Sequence, residues 1–190
     1  MDLPPKPPDS MDAWDRPWPQ TQCELEALVD ACLDRLVRYA YSRLGNFQDA
    51  EDVVQEVFVC SLSDRSERKQ ITMVGPYLYR SVANACTDLV RKRGSGIVVR
   101  REVGIDEMPD RGESPSGVAE AAEEIQRAEK LLGQLPQVQA DVARLRVLEG
   151  LRLHEIADVV GCSMNTVSSR LRYGFRKLRG LVLKQKGVES

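Results

Sequence analysis

The sequence predicts an all-α protein made of two small helical domains joined by a flexible linker. Three observations carry that reading. Aromatic residues are only 5% of the chain against 42% apolar residues, so a core must be assembled from Leu, Val and Ala, which favours helices. Apolar residues recur at three- and four-residue steps in several separate segments, the period of a helix buried on one face. That period stops in "GSGIVVRREVGIDEMPDRGESPSG", where Gly, Ser and Pro are scattered as in a linker. A length of 190 residues suits one medium domain or two small ones, and the linker decides for two. The expected division is a Pro-rich disordered extension at 1–22, a first domain at 23–93, an acidic linker at 94–118 and a second domain at 119–186.

In chain order, "MDLPPKPPDSMDAWDRPWPQ" has no apolar stretch of the kind a secretory signal needs, and its prolines favour an extended chain. Leu25, Leu28, Val29, Cys32, Leu36, Tyr39 and Ala40 then mark a first helix, stopped at Gly45-Asn46. Ala50, Val53, Val54, Val57 and Phe58 line a second. The polar run "SDRSERKQITMVG" reads as a loop. Pro76 suits the start of a third helix, whose stripe is Tyr77, Leu78, Val82, Ala85, Cys86 and Leu89 and whose stop is Gly94. Helical propensity returns near Val118. Pro136 opens a further helix to about Leu148, and two more helices divide at Gly161.

No apolar run approaches the roughly 18–20 residues of a membrane span, so no membrane insertion is expected and a cytoplasmic location is. The five cysteines include no C-x-x-C pair, and His154 is the one histidine. Neither a metal site nor any other cofactor is expected; the thiols read as reduced core residues.

The net charge of −2 conceals alternating blocks. Residues 24–62 hold 3 basic and 8 acidic side chains, and 63–93 hold 7 and 3. Residues 94–130 hold 5 and 9, and 150–186 hold 8 and 2. Two separated basic patches point to two contacts with a polyanion, and the acidic blocks to a different partner.

The last basic block has helix-turn-helix spacing. "LHEIADVV" turns Ile156, Ala157 and Val160 inward, and Ala157 is small enough for a close crossing. Gly161 suits a turn with positive φ, and Ser163 suits an N-cap. In the next helix Val167, Leu171, Phe175 and Leu178 share one face. The opposite face carries Asn165, Ser168, Ser169, Arg172 and Arg176, with Tyr173 at its edge. Arg, Asn and short hydroxyls match base edges and phosphates, and the helix N-terminus, with Thr166 in its first turn, can meet a phosphate. Charge alone also fits a solvated basic helix; the matched Ala157, Gly161 and Val167 offsets favour duplex DNA.

Two earlier segments add partners. "DAEDVVQEVF" places four carboxylates and a Gln on one exposed side, a surface DNA repels; by itself it is equally a solvated helix face. "PYLYRSVANACTDLVRKR" sets Tyr77, Tyr79, Arg80 and Asn84 beside the basic end Arg91-Lys92-Arg93, a mix suited to unstacked bases and phosphates. By themselves those tyrosines also fit a core, and the basic end a helix dipole.

In this order the parts resemble the extracytoplasmic-function (ECF) group of the sigma-70 family of bacterial RNA polymerase sigma factors. "RLGNFQDAEDVVQEVF" is similar to their regions 2.1–2.2, and "GPYLYRSVANACTDLVRKR" to 2.3–2.4. The stretch from Leu135 to Val182 is similar to region 4. The resemblance implies a holoenzyme subunit with no catalytic residue of its own. Asp49, Asp52, Gln55 and Glu56 would dock on the β′ clamp helices of core RNA polymerase. Tyr77, Arg80, Asn84, Asp88, Arg91 and Lys92 would take the melted −10 element. Ser163, Asn165, Thr166, Ser169, Arg172, Tyr173 and Arg176 would read the −35 duplex of promoter DNA. Region 4 would also meet the β flap, the acidic linker would follow the path of nascent RNA, and an anti-sigma factor would be a further partner.

The chain departs from the family in places. Ala143 beside Arg144 stands where relatives carry a bulky aromatic, which implies weaker packing. Arg152 stands where a Ser or Thr cap is common, and Ser168 where Lys or Arg is. A stand-alone helix-turn-helix regulator is the competing reading. An enzyme such as a recombinase or nuclease lacks a nucleophile or a second carboxylate cluster.

Overall fold

The computed structural model describes residues 17–63, 71–94 and 125–188. Residues 1–16, the 64–70 part of the polar loop, and 95–124, including nearly all of the linker, lie outside the described residues. The described residues form seven helices and no strand, in two compact units.

In the N-terminal unit, α1 (Gln22–Leu44), α2 (Phe47–Ser63) and α3 (Val74–Lys92) pack pairwise against one another. A capping box opens α1: Glu24 N–H donates to Thr21 Oγ1 at 3.2 Å, and Thr21 N–H donates to Glu24 Oε2 at 3.2 Å. Gly45, at φ 68°, closes it. Asn46 Oδ1 accepts from Asp49 N–H at 2.9 Å and so caps α2. Pro76 lies inside the first turn of α3, where its missing N–H breaks no helical bond.

Leu36, Ala40, Ala50, Val54, Leu78 and Val82 from the three helices are all fully buried. Burying each Leu or Val stabilises by about 1.5–3 kcal/mol. Two tyrosines complete this core. Tyr39 and Tyr79 meet edge to face, with ring centroids 5.2 Å apart at 88°, within the favoured range for an aromatic pair.

The structure corrects the expected extension at 1–22 where residues 17–22 are described. Trp18 is buried, Thr21 caps α1, and Gln22 begins it. A large apolar ring beside a forming core gains more from burial than the short Pro-rich run gains from remaining extended.

The C-terminal unit holds α4 (125–132), α5 (Gln137–Val147), α6 (Leu153–Val160) and α7 (Met164–Val188). Pro136 precedes α5 in an extended conformation, and Gly150, at φ 67°, turns the chain toward α6. The weaker packing expected around Ala143 is not found. Ala143 is fully buried and Arg144 nearly so. Arg144 Nε donates to both Glu129 carboxylate oxygens at 2.9 Å and Nη2 donates to Oε2 at 2.6 Å, tying α5 to α4. A buried guanidinium is tolerable only when paired this way.

Arg152 has no acceptor to cap α6, yet its N–H donates to Glu155 Oε2 at 2.5 Å. That is half of a capping box, and it explains why Glu155 is buried.

Candidate nucleic-acid interface

α6 and α7 form the expected turn. Gly161 takes φ 65° and ψ 41°, and Cys162 N–H closes on Ala157 O at 3.1 Å. Ser163 caps α7: its Oγ accepts from Thr166 N–H at 3.2 Å and lies 2.9 Å from Thr166 Oγ1. Both hydroxyls thus serve the cap while Ser163 stays exposed.

Steps of four, three and four residues place Asn165, Ser169, Arg172 and Arg176 on one stripe of α7. Asn165, Arg172 and Arg176 are exposed and Ser169 is half-buried. Val167 and Leu171 are buried on the other side. Gly174 lies buried opposite the stripe, where an added Cβ would make ordinary contact with Leu135 Cδ1 at 3.4 Å and Gln139 Cβ at 3.7 Å. Tyr173 is 45% exposed and lies between two cations, with Arg172 Cζ 5.3 Å and Arg176 Cζ 4.9 Å from its ring centroid. The ring holds both guanidinium groups near one another before any ligand arrives.

In α3, Tyr77, Arg80, Asn84, Asp88 and Arg91 also follow three- and four-residue steps and share one face about 21 Å long. Arg80, Asn84, Asp88, Arg91 and Lys92 are exposed and Tyr77 is half-buried. Asp88 and Arg91 sit 3.4 Å apart in an exposed pair. Tyr79 is different. It belongs to the core against Tyr39 and is no platform for a base. Two positions along a helix turn a side chain by about 200°, so Tyr77 and Tyr79 cannot serve the same face.

On α2, Asp52, Gln55 and Glu56 are exposed, and Gln48 Nε2 donates to Asp52 Oδ1 at 3.2 Å. Asp49 is set apart from them. Both its oxygens are held by Arg93 at the end of α3, at 2.5 and 2.8 Å. That hydrogen bonding, with the guanidinium charge, holds its carboxyl below the usual carboxylate range. Val59, one turn beyond Gln55 and Glu56, is 63% exposed and extends the acidic stripe with an apolar end. Continuing the i, i+3, i+4 pattern of the stripe would have pointed to it.

Among the described residues no group of three or more His, Cys, Asp or Glu side chains could hold a metal ion, and no helix is long and apolar enough to cross a membrane. Cys32 and Cys86 are buried, Cys23 and Cys60 exposed.

The chain thus holds two helical units, one carrying a helix-turn-helix whose last helix exposes an Arg-Asn stripe and the other an exposed acidic stripe on α2. The family descriptions that match are "Sigma-70 region 2" over residues 28–96 and "Sigma-70, region 4" over residues 131–180. The chain belongs to the sigma-70 family, in its ECF group.

It is 30% identical over 159 residues to the "ECF RNA polymerase sigma factor SigE" of Mycolicibacterium smegmatis, covering 84% of this chain and 62% of that protein. It is 24% identical over 159 residues to the "ECF RNA polymerase sigma factor SigW" of Bacillus subtilis, covering 80% of this chain and 85% of that protein. In fold it is similar to the sigma factor RpoE of Bartonella quintana, solved with the anti-sigma factor NepR. The TM-score is 0.60 at 20% identity, over 84% of this chain and 96% of that one. CnrH, solved with the cytosolic domain of CnrY, gives a TM-score of 0.56 at 23% identity, over 86% and 90% of the two chains.

Proposed function

We propose that this chain is a promoter-specificity subunit of bacterial RNA polymerase, acting in the cytoplasm without an active site of its own. The observation that carries the reading is the separation of opposite surfaces. Asp52, Gln55 and Glu56 form an exposed acidic stripe on α2, while Asn165, Arg172 and Arg176 line an exposed stripe on α7. DNA attracts the second and repels the first, so one chain can hold promoter DNA and a protein at once.

In this reading the acidic stripe docks on the β′ clamp helices, and Asp49 orders its first turn through Arg93. The α7 stripe enters the major groove of the −35 element, with arginine directed to guanine and Asn165 to adenine. The α3 face from Tyr77 to Lys92 takes the opened −10 strand, where an extruded base costs a few kcal/mol that pocket contacts offset. The β flap and an anti-sigma factor complete the set of partners. One of the two fold neighbours was itself solved with an anti-sigma factor, and the other with the cytosolic domain of CnrY.

The test is run-off transcription on a genomic library with purified core polymerase. Discrete transcripts that appear only when the chain is added are expected. None above the core-only background sinks the proposal, and duplex binding without polymerase at a palindrome supports a stand-alone regulator instead.

A further inference from the structure

The segment before α1 makes contacts that none of the assigned surfaces uses. Trp18 is buried to 4% exposure although its neighbours Pro17 and Gln20 are exposed. Its backbone N–H donates to Ile71 O at 3.2 Å, which fixes it to the chain just before α3. Its carbonyl accepts from Gln20 Nε2 at 2.8 Å. Its ring meets Tyr77 edge to face, with centroids 5.8 Å apart at 85°. Tyr77 is the aromatic member of the α3 stripe and is half-buried.

We propose that Trp18 is a positioning residue for the −10 contact: a fixed buttress that sets the orientation of Tyr77 and the entry of the chain into α3. The inference rests on the proposed function. Stacking a base on Tyr77 requires a ring that does not swing, because rotational freedom lost on binding weakens the complex. A ring braced by a buried, backbone-anchored indole has already lost that freedom. Residues N-terminal to α1 thereby become part of −10 recognition.

The experiment uses full-length protein in holoenzyme with core polymerase. A wild-type run-off assay first yields promoters; its failure overturns the proposed function and is read separately. The probe is then a single-stranded oligonucleotide carrying the non-template −10 segment of one such promoter. Trp18→Ala should weaken its binding about two- to tenfold, the scale of one edge-to-face pair, with core affinity unchanged. Trp18→Leu keeps an apolar side chain and the Ile71 bond but lacks the ring, so it should show the same loss even if the alanine variant fails to fold. Trp18→Phe should restore most of the affinity. In a Tyr77→Ala background, removing Trp18 should change nothing further, since the effect passes through Tyr77. Wild-type oligonucleotide affinity in Trp18→Leu, tighter binding, or full additivity with Tyr77→Ala each overturns the proposal.

Discussion

Replacing Glu129 by Met tests the polar clasp of the C-terminal unit. Arg144 and Glu129 side chains are 5% and 10% exposed and share three hydrogen bonds of 2.6–2.9 Å. At an effective dielectric near 20, unit charges about 4 Å apart attract by about 4 kcal/mol. Removing one partner of a buried pair typically costs about 3–5 kcal/mol, because the remaining charge stays desolvated. Asp141, with an oxygen 4.0 Å from Arg144 Nη1, takes up part of that charge, so the low end, about 3 kcal/mol, is expected.

At about 1.4 kcal/mol per decade this makes opening of the unit about a hundredfold more frequent. Amide hydrogen exchange read by peptide should show that acceleration in α4 and α5, while α1–α3 peptides serve as an internal control and stay unchanged. Adding Arg144→Met to make an apolar pair should recover most of the loss. If Glu129→Met exchanged at the wild-type rate, Asp141 would be sufficient to hold Arg144, and the clasp would have no energetic role.

Four further outcomes are expected. Arg176→Ala should weaken −35 duplex binding by holoenzyme by about 1–3 kcal/mol and leave core affinity intact. The pair Asp52→Ala with Gln55→Ala should do the reverse, and normal assembly of that variant with core would remove the acidic stripe from the docking surface. With a thiol reagent at pH 8, Cys23 and Cys60 should react quickly and Cys86 only on unfolding. Cys32, whose thiol burial pushes up to about 12, should also wait for unfolding; early labelling of Cys32 would refute its placement. The Asp49–Arg93 pair lowers the Asp49 carboxyl from its ordinary 3.8, so its stabilisation is complete above that pH and drains away as pH falls further. A small stability difference between wild type and Asp49→Asn should therefore persist from pH 7 to 5 and shrink progressively as pH falls below 3.8; a difference that did not shrink with acidification would place its origin elsewhere.

Much of the fold was legible because helices announce themselves locally. The stripe from Leu25 to Ala40, the stops at Gly45 and Gly161, and the Ser163 cap each depend on residues within one or two turns. The α7 stripe was legible for the same reason: Asn165, Arg172 and Arg176 share a face by backbone geometry alone. What failed to show involved pairs distant in sequence. Tyr77 and Tyr79 have the same chemistry two positions apart, and which one enters the core depends on where Tyr39 sits. The packing around Ala143 looked weak because Glu129, which clasps the neighbouring Arg144, stands 15 residues before that arginine on another helix.

By itself, then, the sequence determined the all-α class, the two-part division, the helix-turn-helix and the faces that carry charge. Those follow from short-range periodicity and capping chemistry. Only the tertiary structure decided that Asp49 spends its carboxylate on Arg93, that Arg144 is clasped, and that Trp18 braces Tyr77. Each of these joins residues 15 or more positions apart. Contacts of that kind depend on where whole helices and loops come to rest, which side-chain order along the chain does not encode locally.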